Sequence, residues 1–141
     1  MSKSITFAAA AVAAVGMVFA GTAPASAAGA PAKVVMPAAY NNACGAGYSV
    51  IDTLTPTGGH VYLTLNASNG YNCVATVRNT SGAPIFMDAW IQRSDGSGHD
   101  ENDGNFKTYA GPVYVYAPHT CIDWGGVIGT SAVLQGHLHC D

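Results

Sequence analysis

The stretch Asp95-Gly-Ser-Gly-His-Asp-Glu-Asn-Asp-Gly-Asn105 gathers four carboxylates and two asparagine side chains into eleven residues. Oxygen-rich segments of this kind can hold calcium, which makes Asp95, Asp100 and Asp103 candidate ligands. The EF-hand frame is not met, because no glycine sits sixth from a first-ligand aspartate with a glutamate six residues later. Without that frame the stretch reads as a solvated hairpin loop whose glycines and acids keep an edge from pairing. Nearer the C-terminus, His137-Leu-His139 would put two imidazoles on the same side of a strand, since strand side chains repeat every two residues. Two histidines begin a zinc or copper site but do not complete one, and His60, His119 and Asp123 have no spacing that joins them to it. No metal and no cofactor is assigned.

Covalent chemistry has less support. Serines occur at Ser49, Ser68, Ser81, Ser94, Ser97 and Ser131, yet none lies in a G-x-S-x-G elbow. Glycoside hydrolysis needs two carboxylates held across a cleft, and most of the acids here crowd one turn-rich stretch. The expectation is therefore a protein that is not an enzyme. A binding surface has one candidate. Tyr114 and Tyr116 share a strand face opposite Val113, Val115 and Ala117, and exposed tyrosines can stack on sugars or anchor a protein. Tyrosine also suits any half-buried strand without a ligand.

These side chains have to be carried by an exported chain. Residues 1–27 read as a secretory signal peptide. Lys3 precedes an uncharged apolar run from Ile5 to Ala20, and Ala25-Ser-Ala27 supplies the small-residue cleavage site. The apolar run is shorter than the roughly 20 residues a membrane span requires. No membrane association is expected once the signal is removed. Residues 28–39 are Ala/Pro-rich and read as a flexible lead-in, leaving residues 40–141 as a single domain. Four basic residues (Lys33, Arg78, Arg93, Lys107) then face eight acidic ones. That balance excludes nucleic acid as a partner.

All four cysteines, Cys44, Cys73, Cys121 and Cys140, lie in this domain. An even count in an exported chain, with no C-x-x-C pair, implies two disulfides instead of a metal site. Three connectivities are open to four cysteines. Cys44–Cys73 with Cys121–Cys140 is favoured because each pair brackets consecutive strand candidates.

Strand signals cover Tyr48–Leu54, His60–Leu65, Cys73–Arg78, Ile85–Gln92, Phe106–Tyr109, Val113–Ala117, Cys121–Trp124 and, more weakly, Val133–Cys140. Cys73, Ala75 and Val77 are expected to face inward. Trp90 and Trp124 are assigned to the core, and Gly125-Gly126 to a bend or bulge. Breaks at Gly, Pro and Asn every 8–12 residues or so predict an all-β fold. It would be a small antiparallel β-sandwich, or a barrel-like domain, of about seven to eight strands with two disulfides.

Several blocks carry a family resemblance: Tyr40–Asp52, Gly58-Gly59, Asn72–Arg78, Tyr109–Val115 and Cys121-Ile-Asp-Trp-Gly-Gly126. Together they resemble the spore-associated protein A family of streptomycetes and related actinobacteria, over nearly the whole region after residue 27. The resemblance implies a small exported protein found with aerial hyphae and spores, and it transfers no catalytic residue. The expected role is structural or interactive, at a spore or cell surface, with a cell-wall or spore-surface component as partner. The alternative is an extracellular binding module or inhibitor acting on a secreted protease or a cell-wall glycan. Oligomeric state is not readable from the sequence.

Overall fold

A computed structural model describes residues 39–140, so the segment assigned to the signal peptide and nearly all of the Ala/Pro-rich lead-in lie outside the described residues. Eight strands form two four-stranded sheets. They are β1 (Ser49–Leu54), β2 (Gly59–Asn66), β3 (Tyr71–Arg78), β4 (Ile85–Arg93), β5 (His99–Phe106), β6 (Tyr109–Tyr116), β7 (Ile122–Ile128) and β8 (Ser131–Leu138). The first sheet has the order β1-β2-β3-β6 and the second β5-β4-β7-β8. Every pairing is antiparallel. Hairpins build most of each sheet, while β6 returns from the second sheet to lie beside β3.

Alternation puts one face of each sheet against the other. Val61, Leu63, Val74, Met87, Ala89, Ile91, Val113, Val115, Ile122 and Trp124 fill the space between them. Trp124 is fully buried, as expected. The disulfides are Cys44–Cys73 and Cys121–Cys140, the favoured pairing.

Several expectations are corrected. Cys73, Ala75 and Val77 lie on the outer face of the first sheet, whereas Val74 of the same strand points into the core. They are nonetheless buried, because the segment before β1 crosses that face. Tyr40 and Ala43 pack on Tyr62, Ala75 and Val77, and the Cys44–Cys73 bond fastens this strap. Trp90 also faces outward. Met87, Ala89 and Ile91 take the core positions of β4, and a period of two leaves Phe86, Asp88, Trp90 and Gln92 on the opposite face.

The acidic stretch is the third correction. Its second half is strand β5, in register with β4 from Ile85↔Phe106 to Gln92↔His99, and the expected strand Phe106–Tyr109 is instead split, with Phe106 ending β5, Tyr109 opening β6 and Lys107-Thr108 bending between them. Low strand propensity is overridden here because the inward polar side chains find partners. Asp100 Oδ2 accepts the backbone N–H of Tyr114 at 2.8 Å, and Asn102 Oδ1 accepts that of Gly111 at 2.8 Å. Two β5 side chains thus accept two N–H groups on the free edge of β6 in the other sheet.

The opposite side of the sandwich is tied differently. Ser131 Oγ accepts the Thr57 N–H at 2.9 Å, and His139 Nε2 lies 3.0 Å from Asp52 Oδ2. Gly125 and Gly126 sit within β7 and make no bend; the register shift in that ladder falls between Ile122 and Trp124. Their role is close approach. A Cβ at Gly126 would strike the Thr76 hydroxyl and the Asp88 carbonyl, and one at Gly125 would lie 3.0 Å from Trp90 Cζ2.

Candidate functional site

The outer face of the first sheet is lined with tyrosines, and the two singled out by sequence have different surroundings there. The Tyr114 hydroxyl donates to the Cys44 carbonyl at 3.2 Å. Its ring meets Tyr48 edge-on, with centroids 5.7 Å apart. Burial pushes both phenols above their ordinary range. Tyr114 therefore fastens the strap to the sheet. Tyr116 is 51% exposed and packs its ring against Tyr71 at 5.2 Å, so the open aromatic surface here is the Tyr71–Tyr116 pair.

The three calcium candidates are drawn to separate partners. Asp95 is held by Arg93, with Nη2 2.9 Å from Oδ2, and by the Ser97 hydroxyl at 2.7 Å. The Arg93 guanidinium, then Ser97, keeps its carboxyl far below the usual carboxylate range. Asp100 is turned inward onto Tyr114 N–H. Asp103 lies opposite Asp88 in the β4–β5 ladder, on the outer face of the second sheet. Among the described residues no group of three or more His, Cys, Asp or Glu is gathered as a metal ion requires.

The two C-terminal histidines do not share a side as strand alternation suggested. His137 and His139 both have positive φ, 55° and 52°, which breaks the extended repeat. His137 lies beside Asp123, with Nδ1 3.6 Å from Oδ1, while His139 pairs with Asp52. Asp123 is a junction of three segments. It accepts the Ser94 hydroxyl at 2.5 Å, the His137 N–H at 2.8 Å and the Gln92 amide at 3.2 Å. The Ser94 hydroxyl, then the other two donors, holds its carboxyl below the usual range.

A cavity of about 220 Å³ opens beside His139, lined by Ile51, Leu65, Gly70, Asn72 and Ala117. Its volume is below the roughly 300–1,000 Å³ of typical small-molecule sites.

The outer face of the second sheet holds what sequence reading missed. Phe86 and Leu134 are exposed there and Trp90 is half-buried, with Glu101 opposite Trp90 and Asp103 opposite Asp88. A signal was present in β4. A single aspartate in an apolar strand marks the face away from the core, and Trp90 has the same parity as Asp88.

The chain is 45% identical over 121 residues to Spore-associated protein A of Streptomyces coelicolor, covering 82% of this chain and 76% of that protein. No protein-family model and no solved structure matches it.

Proposed function

This chain belongs to the spore-associated protein A family, and from that premise we propose that it is an exported, non-enzymatic protein that associates with the spore or cell surface. The observation that carries this is the identity to a relative named for spore association, spread over most of both chains. Two disulfides in one small domain fit an oxidising, extracellular setting. Among the described residues no helix is long and apolar enough to cross a membrane. A non-enzymatic role is supported by what the polar side chains do. Asp52, Asp95, Asp100, Asn102 and Asp123 each tie one backbone segment or side chain to another.

Fractionation of a sporulating culture tests the assignment. An antibody against the folded domain should label washed spores or aerial hyphae. Recovery of the protein only as free material in the medium would overturn it.

A further inference from the structure

We propose that the outer face of the second sheet, centred on Trp90, Glu101 and Asp103, binds an extended glycan that carries free, protonated amines. The inference concerns ligand chemistry and stands apart from where the protein is found.

The apolar part of the face is a row. Along β4, Phe86 and Trp90 lie four residues apart on one side, which at about 3.3 Å per residue separates them by roughly 13 Å. Across the sheet, Trp90 is followed by Gly125 and then by Leu134. Gly125 leaves the indole a seat against β7, since a side-chain carbon there would stand 3.0 Å from its ring. Phe86 is 44% exposed and Leu134 72%. Backed by backbone and open above, Trp90 suits stacking on a flat, weakly polar ring.

The polar part is acidic and lacks cations. Glu101 and Asp103, both exposed, flank the row from β5. Among the described residues neither has a lysine or arginine partner; Glu101 has only His99, at 3.5 Å. Beneath them lies Asp88, 8% exposed, with Oδ1 lacking any hydrogen-bond partner among the described residues. Its position opposite Asp103 puts this carboxyl on the same face of the sheet, with the Ala89 N–H and the His99 charge only partly offsetting its burial. Burial, then the charges of Glu101 and Asp103, raise its pKa to about 6. Like charges directly across a ladder are destabilising. A cationic ligand on Glu101 and Asp103 would relieve that repulsion and partly neutralise Asp88 from above.

The ligand must therefore present an apolar face to Trp90 and positive charge to its flanks, and it must lie flat on an open sheet. A chain of amino sugars does all three, with pyranose faces for stacking and ammonium groups for the carboxylates. An N-acetylated chain has the faces without the charge. A basic peptide has the charge without the regular faces.

The test is titration of the purified protein with a glucosamine hexamer, an N-acetylglucosamine hexamer and hexalysine. Trp124 is fully buried, so a change in tryptophan emission reports Trp90. The glucosamine hexamer should bind and shift the emission, with the other two at least tenfold weaker. Trp90→Ala and the double variant Glu101→Gln/Asp103→Asn should each weaken binding at least tenfold, while Tyr116→Ala leaves it unchanged. The double variant alters only exposed positions, so it remains informative if Trp90→Ala does not fold. No binding of the glucosamine hexamer, equal binding of the acetylated hexamer, or equal binding of hexalysine would each overturn the proposal. Spore labelling can succeed or fail independently of this outcome.

Discussion

The Asp100 carboxylate on β5 accepts the backbone N–H of Tyr114 on β6 at 2.8 Å, so a side chain of one sheet completes the hydrogen bonding of the other. Asn102 repeats the arrangement with Gly111 N–H. Both acceptors come from the stretch whose composition suggested a loop.

Replacing Asp100 with alanine leaves the Tyr114 N–H without its acceptor in a partly buried place. The expected loss is about 1–3 kcal/mol of unfolding free energy, measured by urea denaturation. Asp100→Asn should lose less, because an amide oxygen can still accept the bond. A loss well below about 1 kcal/mol for Asp100→Ala would show that the contact contributes little.

The Cys44–Cys73 bond closes a 29-residue separation and the Cys121–Cys140 bond a 19-residue one. Loops of these lengths correspond to about 3–4 kcal/mol each through restriction of the unfolded chain. Cys44→Ala/Cys73→Ala should cost at least as much as Cys121→Ala/Cys140→Ala, because it also frees the strap from Tyr62, Ala75 and Val77. Near-ultraviolet circular dichroism should show loss of fixed tyrosine environments in the first double variant before global unfolding.

Two aspartates give stability opposite slopes with pH. Asp88 has a folded pKa raised from 3.8 to about 6 by burial and by Glu101 and Asp103, with His99 partly offsetting them. The face it meets on β7 holds Gly125 and Val127, which are uncharged. Its contribution is therefore full below pH 4 and lost as pH rises from about 4 to 6, at most about 3 kcal/mol. Asp123 has a lowered pKa, so its contribution is present above pH 4 and lost as pH falls below the usual carboxylate range. Asp88→Asn should remove the decline between pH 4 and 6, and Asp123→Asn should flatten the acid limb. Thermal melts across pH 2–8 measure both.

Gly126→Ala places a methyl against the Thr76 hydroxyl and the Asp88 carbonyl. Neither backbone nor a fully buried threonine yields easily, so the expected cost is about 1–3 kcal/mol or more. Gly129→Ala, where a Cβ meets nothing but φ is +61°, should cost less, through backbone strain of about 1 kcal/mol. Paired denaturation curves separate crowding from strain.

Much of the fold is legible because cysteine count and turn spacing are local signals. Alternation located seven of the strands to within a few residues, and bracketing of strand pairs picked out the disulfides. What failed was phase. Alternation in β3 does not say which of its two faces is inward, and tryptophan suits a core, yet Cys73 and Trp90 each belong to an outer face, where a strap covers Cys73 and Gly125 seats Trp90. β5 failed for a different reason. Nothing within Asp95–Asn105 announces that Asp100 and Asn102 will meet N–H groups about ten residues further on, since that partnership exists only once the sheets have packed. The candidate surface is legible only in part: strand parity puts Tyr114 and Tyr116 on one face, but the strap that takes Tyr114 is a tertiary contact.

The handling of the outermost strands limits how copies of this protein can assemble. The β6 edge is occupied by Asp100 and Asn102, and β5 carries exposed acids. β1 has a register shift between Val50 and Asp52, and positive φ at His137, near the end of β8, and at His139, just beyond it, breaks the extended repeat there. Such edges resist annealing with a neighbour's strand. What the domain leaves open to a neighbour is therefore its broad faces, where Tyr71, Tyr116 and Trp90 are displayed.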